Sequence, residues 1–360
     1  MTTIFSGLNL ADGDLVITKD IGQDVVYDVA QAYIDFHNQR LVQMLEVFVE
    51  TVTEKYSLTY RLPGGGYMQR TESYSNPGTV RPQGKWSVAF PLTNDADRIG
   101  GDRIDWAYMT AMELQNLLDS VVNRNVNSTR YDILTALLDN TNDTFKDRSH
   151  GDLTIKPLAN NDSDLYPPLE GAIADAAADH YLVSGYTSAN ISDTNNPFAT
   201  STRKLKQRFG GGSGGTNVVA FINDAQADKV EDLTDFRDVP DNFLVEGDDT
   251  DLTIAPPTNL PGEVIGRIRG RNGAWVSVWD SIPADYMLSI HMDAPAPLMQ
   301  RRDISATGIT QGLHLAAEDE TEMLISSKFV NRRGYGVGNR LNGIVTQFKA
   351  SGSYDVPTVV

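Results

Sequence analysis

The chain has 360 residues and no cysteine. Disulfides, thiolate metal sites and cysteine nucleophiles are therefore excluded. No run of eighteen apolar residues occurs, so no membrane-spanning helix is expected. Met1–Asp20 is neither basic nor continuously apolar and does not read as a signal peptide. The sequence also lacks the motifs that carry common chemistries. There is no Gly-x-x-x-x-Gly-Lys-Ser/Thr phosphate loop, no His-Glu-x-x-His and no Gly-x-Ser-x-Gly elbow. The five histidines are scattered at positions 37, 150, 180, 291 and 314. The close glycines Gly334, Gly336 and Gly338 lack the strand-to-helix context of a dinucleotide site and read as a turn. Acidic pairs such as those in Glu246–Asp251 occur throughout the chain, so they do not single out a catalytic or calcium site. No catalytic, cofactor-binding or metal-binding residue is expected.

Basic residues are few. Lys+Arg total 30 against 48 Asp+Glu, giving a net charge of −18 and a sequence pI near 4.6. Lysine is the scarcer cation, 10 against 20 Arg, and Asp outnumbers Glu 36 to 12. Such a surface repels nucleic acid and favours solubility at some cost in self-repulsion. Strong salt relieves that repulsion, since the Debye length falls to about 3 Å at 1 M. The composition resembles that of proteins from salt-loving archaea. An ordinary acidic protein with Asp in turns and caps would read the same way.

Glycine and proline, 46 residues in total, are absent from Asp102–His150. Within this stretch Ile104, Ala107, Tyr108, Ala111, Leu114, Leu118, Val121 and Val122 recur at three-and-four spacing, which predicts an amphipathic helix over 103–124. Asp102 is placed to cap it. The polar run Asn123–Thr129 predicts a break, followed by a second helix carrying Ile133, Leu134, Leu137 and Phe145. Residues 1–23 read as an extended arm, and Asp24 as the cap of a helix to about Lys55. Between the helices, 56–62 and 85–92 alternate as two strands. Pro63-Gly64-Gly65-Gly66, Asn76-Pro77-Gly78-Thr79 and Arg81-Pro82-Gln83-Gly84 interrupt them as turns. Two strands alone are marginal in water, and the segment has few apolar residues with which to build its own core. We therefore expect it to find its hydrophobic cover on another subunit; folding back on its own domain is the alternative. Later, 151–158 is a strand candidate and Ala-rich 169–181 a helix, while 184–216 is polar and turn-rich. Val218–Ile222 is a strand leading into a helix capped by Asn223 or Asp224. Strands are expected over 264–268, 274–279 and 287–292, and two more around a basic turn at 331–340.

The order of these elements resembles the major capsid proteins of tailed viruses, the Hong Kong ninety-seven phage-like capsid fold, which encapsulins share. The resemblance lies in the hairpin 56–92, the helix 103–124, Val218–Leu233, Gly266–Arg302 and Glu318–Phe348, and it spans nearly the whole chain. It implies an α+β fold with an N-terminal arm (1–23) and a helix (24–55) leading into an extended β-hairpin loop (56–100). It further implies a peripheral domain with the spine helix (101–168 and 298–360) and an axial domain (169–297). The implied role is a virion shell subunit forming hexamers and pentamers around double-stranded DNA without sequence-specific binding. Scaffolding, portal and minor or decoration capsid proteins would be its partners, and no membrane is involved. An encapsulin-like compartment or an acidic soluble hydrolase are the alternatives. The expected intersubunit contacts are Tyr60, Pro63, Tyr67, Arg70, Tyr74, Pro77, Arg81 and Trp86 on the hairpin, with Arg332, Arg333 and Arg340 neutralising a neighbour's aspartates; facing packaged DNA is the alternative for the arginines. Some relatives cross-link a loop lysine to a neighbouring asparagine. Lys85 with Asn331 or Asn339 would be the equivalent, although Lys85 reads more simply as a solvated strand residue.

Overall fold

The computed structural model describes residues 23–45, 47–62, 66–71, 76–79, 85–102, 104, 108–160, 164–177, 180–209, 217–238, 257, 259–270, 272–319 and 324–359. The expected arm, the glycine run 210–215 and the acidic stretch 246–251 lie outside them. The helices are α1 (Gln23–Leu45), α2 (Ala111–Leu138), α3 (Pro197–Phe209) and the short α4 (Ala227–Glu231). The early strands are β1 (Val49–Thr53), β2 (Ser57–Arg61), β3 (Lys85–Ala89), β4 (Thr93–Asp102), β5 (Asp143–Asp147), β6 (Gly151–Ile155), β7 (Leu165–Tyr166), β8 (Ala176–Ala177) and β9 (Tyr181–Val183). The later ones are β10 (Val218–Ile222), β11 (Phe236–Asp238), β12 (Glu263–Ile268), β13 (Trp275–Val278), β14 (Tyr286–His291), β15 (Leu298–Arg301), β16 (His314–Asp319), β17 (Leu324–Val337) and β18 (Ile344–Gln347).

The chain divides into two compact units. The first holds Met1–Met44, Leu92–Asp132 and Arg301–Gly334. Its described core is built from β4, β17 and β16 with α1 and the first part of α2. β17 pairs antiparallel with β4 from Leu324↔Asp102 to Arg333↔Thr93, and with β16 from His314↔Val330 to Asp319↔Ser326. The α2 stripe Leu114, Leu118, Val121 and Val122 buries against Ile34, Ile99, Leu313 and Phe329. Tyr33 of α1 donates a hydrogen bond to the Asp119 carboxylate.

The second unit holds Leu45–Pro91, Ile133–Gln300 and Tyr335–Val360. Its centre is a seven-stranded sheet ordered β11-β12-β13-β10-β14-β18-β9. β10 runs parallel to β13 and antiparallel to β14, and all five of its residues are buried. Successive strand side chains point to opposite faces, and here both faces are covered. Val219, Phe221, Leu288 and Val345 join one core with Phe48 and the end of α2, namely Ile133, Leu134, Leu137 and Leu138. Val218, Ala220, Ile222 and Met287 join another with Phe198 and Leu205 of α3. A sheet buried on both faces explains the continuous apolar run Val-Val-Ala-Phe-Ile.

Several expectations need correction. Ile104 and Tyr108 are helical as expected, but the long helix α2 itself starts at Ala111, not 103, and a reciprocal cap defines its start. The Thr110 N–H donates to Glu113 Oε2 (2.8 Å) and the Glu113 N–H donates to Thr110 Oγ1 (3.2 Å). Asp102, the expected cap, belongs to β4. The polar run Asn123–Thr129 does not break the helix. Thr129 Oγ1 donates back to the Asn125 carbonyl at 2.8 Å, and helix continues to Leu138. Phe145 lies in strand β5. α1 ends at Leu45, and 49–53 is strand instead of helix. Residues 169–181 form no helix in their described part; Gly171 takes φ +87°, Ala176–Ala177 pairs as β8 with the preceding β7, and Tyr181 opens β9. The turn-rich reading of 184–216 missed α3, whose Pro197 sits at the first helical position and whose Phe198 N–H is accepted by Asn196 Oδ1 (3.0 Å). Asn223 does cap its helix, accepting from the Ala225 N–H. The expected basic turn is mostly strand, with Arg332, Arg333, Gly334 and Gly336 inside β17.

Candidate functional site

The hairpin of the second unit carries the exposed large apolar side chains Tyr67 and Met68. β2 and β3 pair antiparallel from Ser57↔Ala89 to Arg61↔Lys85. Side chains alternate, so Leu58, Tyr60, Leu62, Trp86 and Val88 share one face. The root of the hairpin has a hydrophobic home in its own chain, which corrects the expectation that it borrows one. Leu62, Trp86, Val88 and Phe90 are buried together with Tyr166. Tyr60 stacks on Trp86 at 4.9 Å between ring centroids, and Trp86 packs on Tyr166 at 5.4 Å. Tyr56 stacks on His150 at 3.9 Å, and His150 Nδ1 lies 2.9 Å from Asp147 Oδ1. Gly336 permits this seating: a Cβ there would lie 2.7 Å from the Phe90 ring.

Beyond Leu62 the picture reverses. Tyr67 is 81% exposed and Met68 97%, and Arg70 and Pro77 are exposed as well. Residues 66–71 and 76–79 belong to no helix or strand, and the Gly78 N–H donates to Gln69 Oε1 at 2.8 Å. Two neighbouring large apolar side chains this open to water, at the end of an anchored hairpin, are unusual in a free-standing protein. Pro63, Tyr74 and Arg81 lie outside the described residues. Of the hairpin candidates, Tyr67, Arg70 and Pro77 are therefore available to a partner, Tyr60 is half-buried and Trp86 is committed to its own chain.

The three arginines also serve their own chain, correcting the expectation of a neighbour's aspartates. Arg333 is 2% exposed and lies 3.1 Å from Asp95 Oδ2 and 3.7 Å from Asp132 Oδ2, while donating to Asn125 Oδ1 at 2.9 Å. Burial pushes the Asp132 carboxyl up to about 6 despite the opposing pull of Arg333, with Asp95 adding repulsion. Arg332 pairs with Asp303 at 2.8 Å. Arg340 is fully buried, 3.5 Å from Asp164 and over the Tyr166 ring at 5.6 Å. Tyr166 in turn meets His180 edge-on at 4.8 Å, and His180 Nδ1 accepts from Arg208 at 2.9 Å. Burial, then the charges of Arg208, Arg340 and Lys204, hold the His180 imidazole well below its ordinary pKa, so it stays neutral. The hairpin root thus rests on an aromatic stack that ends in a buried cationic cluster. The sequence hint for it was the company of Tyr166, His180 and the paired Lys/Arg of α3, which periodicity does not relate.

A cavity of about 560 Å³ opens in the first unit. Four consecutive β4 residues, Asn94–Asp97, line it together with Arg124 and the carboxamides of Asn125, Asn127 and Asn331. Arg124 pairs with Asp97 at 3.2 Å, and Asn331 Nδ2 donates to Asn125 Oδ1 at 2.6 Å. Sequence reading missed this cavity, because it is made by strand pairing across more than two hundred positions. Among the described residues no group of three or more His, Asp or Glu is arranged to hold a metal, and no helix is long and apolar enough to cross a membrane.

No family model matches the chain, and no curated protein matches it. Solved structures do. The chain is similar to that of Mycobacterium phage Patience, with a TM-score of 0.66, 18% identity and 97% of each chain covered. It is also similar to the capsid of the native GTA particle, with a TM-score of 0.49, 12% identity and 86% of this chain and 90% of that chain covered. For the capsid of Myoviridae Phage XM1 the TM-score is 0.43 and the identity 11%, over 85% of this chain and 91% of that chain. The chain has the Hong Kong ninety-seven phage-like capsid fold, an α+β architecture.

Proposed function

We propose that this protein is the major capsid protein of a tailed virus. It self-assembles into the hexamers and pentamers of an icosahedral shell that encloses double-stranded DNA, and its place is the virion capsid. Its work is binding between copies, not turnover. The observation that carries the reading is the hairpin: rooted by buried aromatics in its own chain, yet ending in Tyr67 and Met68 held out in water. The likeness in fold to Mycobacterium phage Patience supports it over nearly the full length. Closed shells repeat a few interfaces many times, so each contact can be modest while the sum is large.

On this reading 1–23 is the arm, 24–55 leads into the loop and 56–100 is the extended loop laid on a neighbour. Residues 101–168 and 298–360 form the peripheral domain, and 169–297 the axial domain around the capsomer centre. β9 to β14 share one sheet, which supports the last assignment, and β18 (Ile344–Gln347) joins that sheet from the C-terminal part. Tyr67, Arg70 and Pro77, with Pro63, Tyr74 and Arg81, make the intersubunit contacts. Scaffolding, portal and decoration proteins complete the particle, which is assembled in the host cytoplasm. Electron microscopy of the purified protein in dilute buffer and in molar salt tests the proposal. Rings or closed shells are expected. Compact single particles at every concentration and salt would overturn it, and shells that retain a protein cargo in place of DNA would instead mark an encapsulin-like compartment.

A further inference from the structure

The hairpin root ends on a group that can change charge. Tyr60 stacks on Trp86, Trp86 packs on Tyr166, and Tyr166 meets the His180 ring. His180 is fully buried. Arginine only donates hydrogen bonds, so the Arg208 Nη1–H at 2.9 Å fixes His180 Nδ1 as an acceptor. The proton of the neutral ring therefore sits on Nε2, which has no hydrogen-bond partner among the described residues. Arg208 Nη1 also donates to the Leu341 carbonyl at 3.2 Å. The charged groups acting on the ring are Arg208 and Lys204 of α3 and Arg340 after β17, all cations. Asp164, the acid of the cluster, is engaged by Arg340 at 3.5 Å and by Lys156. Tyr166 of β7 packs on His180 with Arg340 already over its ring.

These residues all belong to the second unit, and they form a donor–acceptor lock. A proton from solvent on Nδ1 turns the acceptor into a donor. The Arg208–His180 hydrogen bond then becomes a contact between two N–H groups and two positive charges, and Asp164 is already engaged elsewhere. The ring has to leave Arg208, and the Tyr166–Trp86 stack loses its support. Burial and the surrounding cations hold the ring's pKa well below 6.5, so the lock is closed at neutral pH. A released ring regains an ordinary pKa, so falling pH favours the released form.

We infer that His180 is an acid-operated latch on the hairpin root. Protonated at Nδ1, it breaks from Arg208 and loosens Tyr166, Trp86 and with them β2 and β3, while the central sheet stays folded. Only the consequence for the particle, a hairpin that grips its neighbour less firmly in acid, rests on the shell reading. Hydrogen exchange on the dissociated full-length subunit tests the latch without any shell. It is read as protection relative to the unfolded chain at each pH. Between pH 7 and pH 4.5, Thr59–Arg61 and Trp86–Val88 should lose protection several-fold while Val219–Phe221 of β10 keep it. His180→Gln keeps an acceptor for Arg208 and takes no proton, so its hairpin protection should stay flat. Arg208→Met removes a cation beside the ring and should move the loss to higher pH. If His180→Gln fails to fold, the wild-type and Arg208→Met profiles decide. Hairpin protection that falls equally in wild type and His180→Gln, or only together with that of β10, overturns the latch. So does an Arg208→Met subunit that opens at lower pH than wild type. An absence of shells in the microscope would remove the shell reading and leave these profiles untouched.

Discussion

The Trp86 indole packs against the Tyr166 phenol ring, with centroids 5.4 Å apart, across eighty residues of sequence. This contact separates the anchored part of the hairpin from the free part. Trp86 is nearly fully buried and Tyr166 is among the most buried large side chains of the protein. Trp86→Ala should therefore cost about 3–5 kcal/mol of stability, as large-to-small changes of a buried aromatic do. Hydrogen exchange at Thr59–Arg61 should speed up as the root loosens. Tyr67→Ala, at an exposed position, should leave the subunit's denaturation midpoint unchanged and instead weaken assembly. Equal loss of subunit stability in both variants would contradict the division.

Arg333 is the second anchor, and it behaves differently from its partners. It is buried, while Asp95 and Asp132 keep part of their surface in water. Arg333→Met should destabilise at the low end of roughly 3–5 kcal/mol, the usual range when one member of a buried pair is lost.

Asp132→Asn has the opposite sign near neutrality. The folded carboxyl titrates at about 6, above its ordinary 3.8. Its contribution therefore favours the fold below the unfolded pKa and is lost as pH rises through about 6. Urea midpoints of Asp132→Asn and wild type should agree near pH 3.5 and separate in favour of the variant by pH 7. Curves that stay parallel would mean that Arg333 fully compensates the burial of this carboxylate.

His180 sets an acid limit. Its folded pKa lies well below the ordinary 6.5, because burial and the neighbouring cations disfavour the imidazolium. The unfolded chain takes the proton first. The stabilisation is whole above 6.5 and is lost as pH falls from there toward the folded value. His180→Gln removes the titrating group and keeps an acceptor for Arg208. Its stability should fall less steeply than wild type between pH 6.5 and 4.5, as read by thermal melts at half-unit pH steps.

What was legible from the residues is the part that repeats locally. The stripe Leu114–Leu118–Val121–Val122 announced its helix, and Val218–Ile222 its central strand, because burial there follows a single period. The polar run Asn123–Thr129 misled because its role is tertiary: the Asn125 carboxamide oxygen accepts from both Asn331 and Arg333, so the helix keeps polar residues where it meets polar strands. β4 was invisible for a related reason. Thr-Asn-Asp-Ala-Asp-Arg-Ile-Gly-Gly-Asp has only Thr93 and Ile99 as strand formers, and owes its form to ten paired residues of β17. α3 was legible and missed: Pro197 at its start and Lys206 and Arg208 in its last turn are sequence signals. The Ala-rich 169–181 had propensity without a buried face, and propensity alone did not make a helix.

Salt should strengthen assembly, and the reason is a competition between two electrostatic effects. Each subunit carries a net charge of −18, so bringing many together stores repulsion that acts over the full Debye length, about 10 Å at 0.1 M. The attractive contacts between neighbouring subunits act at short range. At 1 M the Debye length of about 3 Å removes most of the long-range repulsion but only part of an attraction at contact distance. Burial of Tyr67 and Met68 is strengthened by salting out where the anion is sulfate. Light scattering should therefore show the critical concentration for assembly falling several-fold between 0.1 M and 1 M NaCl, with a further fall in ammonium sulfate of equal ionic strength. A critical concentration that rises with NaCl would mean that intersubunit ion pairs, not relief of repulsion, dominate the shell.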